Sequence, residues 1–379
     1  MLKKKSRFSS LHTPDIPLLV GVLALLIFGL VLVYDSSAPS SSISAGNQYH
    51  FLELQLVWVV LGLVAMFIFY RLDYHPLRRI SLPLFLIAIA LLVLVVLPTP
   101  FSGVIRGSKR WLSFPISLPF LGESANFQPS EFVKLALILY LASLFSANKK
   151  VARFLSFLVP TALVVGLEVL EPDLGTAAAT LALGVATFFF AEGSFVAALF
   201  LTLASAVGLV VVALSDPARA QRITSFLNPG TDVLSAGYQI QQILIALGSG
   251  GLFGLGIGQS RQKYSFIPDI QTDAIFAVIG EEFGFVGALA VIALFAFIIY
   301  RGLRIAQSAP DGFGKIIAGG ITSWVGIQAL MNLGAMTGLI PLKGISLPLI
   351  SYGGSSLVVL LAAFGILLNV SRQTVVRRK

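Results

Sequence analysis

The feature that most constrains this 379-residue chain is a succession of apolar stretches, each about as long as a helix needs to cross a bilayer. A crossing helix takes about 20 consecutive apolar residues, because the hydrocarbon core is about 30 Å thick. Hydrophobic residues make up 56% of the sequence, against roughly 45–50% in soluble domains. We therefore predict an all-α polytopic membrane protein in which residues 1–379 form one integral membrane domain. About ten spans are predicted, at residues 16–34, 51–70, 80–98, 130–147, 152–170, 174–191, 194–214, 273–300, 315–338 and 350–370.

Basic residues indicate how the helices are oriented. Cytoplasmic loops of membrane proteins carry an excess of Lys and Arg, and an N-terminus placed inside puts most of the 26 basic residues on the cytoplasmic side. We therefore predict a protein of the cytoplasmic membrane with cytoplasmic tails at 1–15 and 371–379. The net charge of +9 then reflects contact with membrane lipids rather than with nucleic acid. An uncleaved first helix is favoured over a signal peptide, because 16–34 is long enough to span.

The composition excludes several kinds of metal and redox site. The chain has no cysteine, so disulfides, Cys-based zinc sites and iron–sulfur clusters are ruled out. Its three histidines, His12, His50 and His75, lie far apart and lack the spacing of a chelating pair. We therefore predict no histidine-based or cysteine-based metal site.

Two long polar segments interrupt the apolar pattern, at residues 98–129 and 215–272. Both fall on the predicted outer side, the second between helices 7 and 8, and long ordered loops usually carry function. Part of the second segment is apolar but short and rich in glycine, which favours a re-entrant or interfacial element. No Gly-Lys-Ser/Thr follows, so a nucleotide-binding loop is excluded and close helix packing through Gly250, Gly254 and Gly258 is preferred.

Asp273 is the ionisable residue that stands out most, because it lies where the second polar segment meets the apolar stretch 273–300. A charge at the mouth of a membrane span is costly and by default indicates function. Two interpretations stay open: a helix N-cap, or a general base acting on an anionic substrate. The second gains weight from four cations in the same polar segment, which suit a phosphate-bearing substrate: Arg219, Arg222, Arg261 and Lys263.

Other charged side chains lie within or beside the predicted spans. Glu131 and Lys134 share one helix face, where they can form an ion pair or where Lys134 can contact an anionic substrate, and both interpretations stay open. Asp173, with Thr176 three residues further on, is expected to cap the sixth span. Glu281 and Glu282 lie about two turns into the eighth span and are expected to face the bundle interior.

The last polar positions fall within the ninth predicted span, between it and the tenth, and at the start of the tenth. Asn332, Lys343 and Ser351 interrupt apolar sequence in a region punctuated by glycine and proline. A packed turn without chemistry is the commoner meaning of such a stretch. These residues are therefore weaker candidates than Asp273.

Five stretches resemble the signature motifs of the SEDS family, the shape, elongation, division and sporulation proteins. They follow the family's order across nearly the whole chain: FQPSEFVKLALILYLA (127–142), EPDLGTA (171–177), NPGTD with GYQ (228–239), IPDIQTDAIFAVIGEEFG (267–284) and GLIPLKGISLPLISYGGSS (338–356). Five long motifs in register are far more specific than any single glycine pattern. SRQK (260–263) and PLKG (341–344) look more like the FtsW branch of the family than the RodA branch.

The resemblance implies a ten-helix integral membrane glycosyltransferase that polymerises lipid II into peptidoglycan. It also implies a class B penicillin-binding protein as partner, within a division or elongation complex. The family's essential aspartate falls on Asp273. Where family members commonly read Pro-Glu-x-His-Thr-Asp, this chain has Asp269 and Gln271, so no role is carried over to the histidine position.

For such a reaction we expect Asp273 to act as the base and nearby cations to stabilise the departing pyrophosphate. A divalent cation, Mg²⁺ or Mn²⁺, would be able to share that work, because carboxylates and phosphates suit hard ions. A covalent glycosyl intermediate on Asp273 would need a second carboxylate. The predicted substrate-binding residues are Arg110, Lys134, Arg222, Lys263 and Ser351, and the supporting residues are Glu131, Asp173, Glu281 and Lys343.

Two other functions stay open on the sequence. A flippase or transporter of lipid-linked precursors would also need a polar cavity, but one that continues to the cytoplasmic side. A non-catalytic scaffold of the division machinery would show no activity when purified. The polar groups gather toward the predicted outer side, which favours glycosyl transfer.

Overall fold

Helices account for almost all of the regular structure. The computed structural model describes residues 12–99, 102–105, 108–114, 125–147, 153–217, 220, 221, 224, 226, 236–264, 267, 269–341 and 344–374. The helices are α1 (Ile16–Ala45), α2 (His50–Arg71), α3 (Leu77–Val96), α4 (Pro129–Ala147), α5 (Arg153–Leu170), α6 (Leu174–Glu192), α7 (Phe195–Leu214), α8 (Ala236–Ser249), α9 (Ile275–Ser308), α10 (Gly312–Met336) and α11 (Gly354–Arg372).

Each of the ten predicted spans coincides with one of these helices, and α8 is the additional one. Within the described ranges, nine helices are long and apolar enough to cross a membrane. Helix α5 is apolar over Phe154–Leu170, slightly shorter than the others. The prediction of a helical, multi-pass membrane protein is therefore confirmed.

Helix α1 is longer than predicted, because it continues through a run of serines. Ser36, Ser37 and Ser41 are fully buried within it. Ser40 donates its hydroxyl to the Ser37 carbonyl at 2.9 Å, so the polar side chain is satisfied by the helix itself. Hydropathy alone marks this run as a polar loop, whereas Ser36, Ser40 and Ser42 donate their hydroxyls to backbone carbonyls three or four residues earlier in the same helix.

The ten described helices other than α8 run alternately up and down, so their ends fall on two faces of the bundle. One face carries both ends of the described chain, where His12 donates its backbone N–H to the Arg372 carbonyl at 2.9 Å. We call this the terminal face, and α1, α3, α5, α7 and α10 begin there. Helices α2, α4, α6, α9 and α11 begin at the opposite face, which we call the cavity face.

Helix α11 runs through the middle of the bundle, and its residues 359–371 are all buried. It packs closely on α2 through small residues. A Cβ added to Gly62 would come within 2.5 Å of Leu361, and one added to Gly365 within 2.4 Å of the Met66 carbonyl oxygen. Close approach of backbones through glycine is a common way for helices to associate in membranes. This apolar centre separates the two faces.

A small antiparallel sheet, absent from the sequence prediction, lies between α3 and α4. Its strands β1 (Ser102–Ile105), β2 (Ser108–Phe114) and β3 (Ala125–Phe127) pair in the order β1-β2-β3. The backbone N–H of Gln128, just after β3, donates to the hydroxyl of Ser355 in α11 at 3.2 Å. The sheet is thereby fixed against the bundle at the cavity face.

The glycine-rich part of the second polar segment forms α8 and then a run of turns beside a break in α9. At the break, Gly284 has φ 67° and ψ −165°. Backbone groups of the turns form hydrogen bonds with those at the break: the Leu255 N–H donates to the Glu281 carbonyl, and the Phe285 N–H donates to the Gly251 carbonyl, each at 2.9 Å. An unpaired backbone group at membrane depth costs several kcal/mol. The break is therefore tolerated because the turns satisfy it.

Close packing through the predicted glycines is confirmed at two of the three positions. A Cβ on Gly250 would lie 1.9 Å from the Gly280 carbonyl oxygen, and one on Gly254 would lie 2.1 Å from the Glu282 carbonyl oxygen. Gly258 instead donates its N–H to the Glu282 carboxylate at 3.0 Å. The expected helix geometry is wrong here, because these glycines lie in turns.

Gly254→Ala is expected to destabilise the folded protein by about 1–3 kcal/mol, the usual cost of overpacking. Its φ is +82° and the new Cβ would lie 2.1 Å from a backbone oxygen, which cannot easily move. Gly208→Ala in α7 is the matched control, because nothing lies within 4 Å of a Cβ at that position. Thermal unfolding in detergent should give a lower Tm for the first variant only, and equal Tm values would contradict this packing.

Candidate active site

A cavity of about 400 Å³ lies at the cavity face. Its wall is built from the first turns of α2, α4 and α6, the second half of α10, strand β2, and the segments that precede α9 and α11. Its charged lining residues are Arg110, Glu131, Lys134, Asp269 and Asp273. Four residues that the sequence predicted separately are therefore brought together in one chamber.

Asp273 enters the cavity wall just before α9. The N-cap of α9 is Ala274, which makes no side-chain bond to the helix, so the structure does not support the N-cap interpretation that the sequence left open for Asp273. Asn332 of α10 donates its side-chain amide to the Asp273 carbonyl at 2.7 Å. The Thr272 hydroxyl donates to the Asp269 carbonyl at 2.7 Å and lies 3.3 Å from the Asp273 carboxylate. The main chain is thus held by α10, while the half-buried carboxylate lines the cavity.

The predicted ion pair between Glu131 and Lys134 is confirmed, with Nζ 2.7 Å from Oε1. Both side chains are almost fully buried and both line the cavity, so the structural pair is also part of the chamber. Among the described residues, no hydrogen-bond partner contacts the second carboxylate oxygen of Glu131. Lys134 donates to Gln328 at 3.3 Å as well. An ammonium group has three donors, so one remains for a ligand.

Gln328 and Trp324 of α10 complete the surroundings of Lys134, and the sequence reasoning missed both. The Trp324 indole N–H donates to the Gln328 side-chain oxygen at 2.8 Å, and the Lys134 ammonium lies 5.1 Å from the centre of the Trp324 ring. Gln328 also donates to the Ser346 carbonyl at 3.1 Å. Gln328 could have been identified from the sequence, because it is a lone amide within an apolar helix.

Arg110 projects from β2 and pairs with Asp173, with Nη1 3.1 Å from Oδ2. The prediction that Asp173 caps α6 is confirmed, because it accepts the Thr176 N–H at 3.0 Å and the Thr176 hydroxyl at 2.7 Å. Arg110 also donates to the Pro172 carbonyl at 3.3 Å. Asp173 therefore stabilises the helix start and at the same time fixes a guanidinium at the cavity wall.

Glu171 lies next to this pair in the turn between α5 and α6, and it is buried. Burial raises the pKa of its carboxyl, and the neighbouring charge of Asp173 raises it further, while Arg110 opposes the shift. Of the two carboxyl groups, it is therefore Asp173, and not Glu171, that forms the ion pair with Arg110.

Lys263, predicted to bind substrate, does not line the cavity. Its ammonium lies 2.8 Å from Asp35 of α1 and 3.2 Å from Glu282 of α9, and all three side chains are largely buried. Glu281, predicted as a supporting residue, accepts the backbone N–H of Arg261 at 3.0 Å. The chain around Lys263 turns toward α1 and the break in α9, so closeness in sequence to Asp273 does not bring the lysine into the chamber. The structure gives Lys263 a structural role instead.

The remaining predicted site residues have different positions. Ser351 is buried, and its hydroxyl accepts the Leu347 N–H at 2.8 Å within a turn, outside the cavity wall. The wall contains Ser346 and Ser356 in its place. Arg222 and Lys343 lie outside the described residues, so their assignment stays a prediction.

In the part of the chain that the structure describes, no three His, Asp or Glu side chains are grouped closely enough to hold a metal ion by themselves. The cavity nevertheless contains carboxylates of the kind that hard cations prefer. Asp273 lines it, and Glu131 contributes an oxygen without a protein partner. The residues thus suit a cation that is held jointly with a phosphate-bearing substrate.

Known proteins of one family match this chain over nearly its whole length. A family model described as the FtsW, RodA and SpoVE cell cycle proteins matches residues 17–375. Stage V sporulation protein E of Bacillus subtilis (strain 168) is 42% identical over 366 residues, covering 95% of this chain and 97% of its own. A probable peptidoglycan glycosyltransferase FtsW of Trichlorobacter lovleyi is 38% identical over 364 residues, covering 94% of this chain and 93% of its own.

A solved structure described as "Structural coordination of polymerization and crosslinking by a peptidoglycan synthase complex" contains a chain of the same fold. It superposes with a TM-score of 0.74 at 29% identity, covering 95% of this chain and 98% of that one. The resemblance inferred from five motifs is therefore confirmed over nearly every residue. The chain belongs to the FtsW, RodA and SpoVE family of cell cycle proteins, the SEDS family.

Proposed function

We propose that this protein is a peptidoglycan glycosyltransferase that polymerises lipid II at the outer face of the cytoplasmic membrane. The observation that carries the proposal is the shared cavity, in which the Asp273 carboxylate lies with the Lys134 ammonium and the Arg110 guanidinium. A base and cations within one partly enclosed chamber suit transfer from a pyrophosphate leaving group. Its FtsW relatives, named as probable peptidoglycan glycosyltransferases, support the same activity.

In the proposed reaction, the acceptor sugar's 4-hydroxyl attacks the anomeric carbon of the donor. Asp273 takes the hydroxyl proton as the new C–O bond forms, and the bond from the anomeric carbon to the lipid pyrophosphate breaks. A pyrophosphate needs little protonation to leave, so direct displacement is preferred to a covalent intermediate on Asp273. The leaving group takes the electron pair and gains negative charge that nearby cations stabilise.

Lys134 and Arg110 are the cations that we assign to the pyrophosphate. Each is paired with a carboxylate, Lys134 with Glu131 and Arg110 with Asp173. Each still has N–H donors that no described residue accepts, because Lys134 uses two of its three donors and the Arg110 guanidinium has five. Preorganised donors of this kind lower the cost of charge development, because they need not reorient during the reaction. Mg²⁺ or Mn²⁺ held by Asp273 and Glu131 would add further neutralisation of the phosphates.

The cavity supports catalysis better than transport of a lipid-linked precursor across the membrane. A flippase needs a polar path between the two faces. Between Lys134 and the terminal face, the first half of α10 has buried apolar side chains, including Ile316, Ile317 and Ile321. A scaffold without activity would not explain why a base and two cations share one chamber. Both alternatives are tested by assaying the purified chain with lipid II.

We further propose a class B penicillin-binding protein as partner, in a division or elongation complex, and we prefer the FtsW branch of the family. The similar chain in the peptidoglycan synthase complex supports a transpeptidase partner. We place both termini in the cytoplasm, because the described chain ends lie on the face opposite the cavity. This orientation presents the cavity to the side on which peptidoglycan is built.

Asp273→Asn is expected to lower polymerisation of purified lipid II by about 10²–10⁴-fold, the usual contribution of a general base. The substitution keeps the shape of the side chain and the main-chain bond to Asn332, so the Tm should not change. Asp269→Asn is the matched control, because it removes another carboxylate from the same cavity wall. Glycan strands should be resolved by gel electrophoresis of labelled product. Normal strand formation by the Asp273 variant would overturn the base assignment.

Asp173→Asn is expected to lower kcat/KM for lipid II about tenfold, the size of one charge-assisted hydrogen bond. Asparagine remains a good N-cap, so the loss would come from releasing Arg110 rather than from unfolding α6. Asp311→Asn is the control, because Asp311 caps α10 at the terminal face, where it accepts the Gly314 N–H at 2.6 Å. Equal kinetics in the two variants would show that Asp173 acts only as a cap.

A further inference from the structure

A second pocket lies at the terminal face, far from the chamber that contains Asp273. It has a volume of about 530 Å³ and lies between the start of α1, the end of α9 and the end of α11. We call it the terminal-face pocket. Asp15, Arg301, Arg304, Ser308 and Thr374 contribute its charged and hydroxyl groups. The proposed glycosyl transfer uses none of them.

The charges of this pocket do not balance. Arg301 makes two hydrogen bonds to Asp15, from Nε at 3.1 Å and from Nη2 at 2.6 Å, so these two groups neutralise each other. Arg304 is exposed, and among the described residues no carboxylate pairs with it. Its guanidinium lies 5.2 Å from the centre of the Tyr300 ring, which fixes its direction without cancelling its charge. The pocket therefore offers one uncompensated positive charge beside the Ser308 hydroxyl, while the Thr374 hydroxyl donates to the Ser371 carbonyl at 2.9 Å.

An apolar surface continues from the pocket along the groove between α1 and α9. The two helices approach closely, because a Cβ on Gly21 would lie 3.2 Å from Ile298. Beside this contact, Val20 is 58% exposed and Phe297 is 39% exposed. In a bundle that spans a membrane, these side chains face lipid. A molecule with an anionic head and an apolar tail would therefore match the pocket and the groove together.

We propose that the terminal-face pocket binds the phosphate of an anionic phospholipid headgroup, with the acyl chains along the groove between α1 and α9. Basic pockets between membrane helices are known recognition sites for anionic lipid heads. The net positive charge favours an anionic headgroup over a zwitterionic one, and the adjoining apolar groove favours a lipid over free phosphate. The site is independent of the proposed glycosyl transfer, so either can fail without the other.

The test is a lipid titration of the purified full-length chain in detergent, followed by native mass spectrometry. Phosphatidylglycerol and phosphatidylcholine with the same acyl chains are compared, and inorganic phosphate is added as competitor. Arg304→Gln should weaken retention of phosphatidylglycerol about fivefold, because one basic residue near an anionic lipid contributes about 1 kcal/mol. Arg79→Gln is the matched control, since Arg79 is an exposed arginine at the same face outside the pocket.

Asp15→Asn changes the charge in the opposite direction. Asparagine can still cap α1, whose Leu18 N–H bonds Asp15 at 2.9 Å, but it would free Arg301 for the headgroup. Retention of phosphatidylglycerol should therefore strengthen about fivefold, by the same contribution of one charge. Equal effects of Arg304→Gln and Arg79→Gln would overturn the proposal, as would equal retention of the two lipids. Displacement of phosphatidylglycerol by millimolar phosphate would identify a free-phosphate site and likewise overturn it.

Discussion

The interaction on which the site depends is the pairing of charges in a medium that solvates them poorly. Lys134 with Glu131, Arg110 with Asp173, and Lys263 with Glu282 each place a cation beside a carboxylate at a depth where a lone charge would be costly. The first two pairs leave their cations at the cavity wall with donors available. The third lies outside the wall and joins α1 to the region of the break in α9. One physical requirement thus produces both the charged wall of the cavity and a structural anchor.

The same requirement applies to the backbone. A helix cannot be broken at membrane depth unless other groups take up its hydrogen bonds. At Gly284 the turns after α8 do this, and their glycines let the two backbones meet. The Glu282 carboxylate also accepts the Ser260 N–H at 2.9 Å, so the turns are bound through a side chain as well as through the main chain. This arrangement fixes the short first part of α9, and with it the position of Asp273 immediately before the helix.

Much of the fold could be predicted, because the bilayer imposes length and apolarity on each crossing helix. Each of the ten predicted spans coincides with a described helix, and nine of these helices are long and apolar enough to cross a membrane, although the serines of α1 and the sheet carrying Arg110 were missed. Serines bond within their own helix, and short strands in a polar segment have no lasting period to detect. The site was predicted in part. Asp273, Lys134, Glu131 and Arg110 meet in one cavity, but Gln328 and Trp324 were overlooked because a single amide or indole in an apolar helix resembles ordinary core.

The sequence by itself determined that the chain is a multi-pass membrane protein of the SEDS family, and it singled out Asp273, since burying a carboxylate at a span boundary is expensive. Only the tertiary structure decided which cations accompany that carboxylate. Lys263 is ten residues away in sequence yet lies in a separate ion-pair cluster, whereas Lys134 and Arg110 come from distant segments. Distance along the chain does not specify which helix faces meet, because that choice follows from how the helices pack and which buried charges must pair.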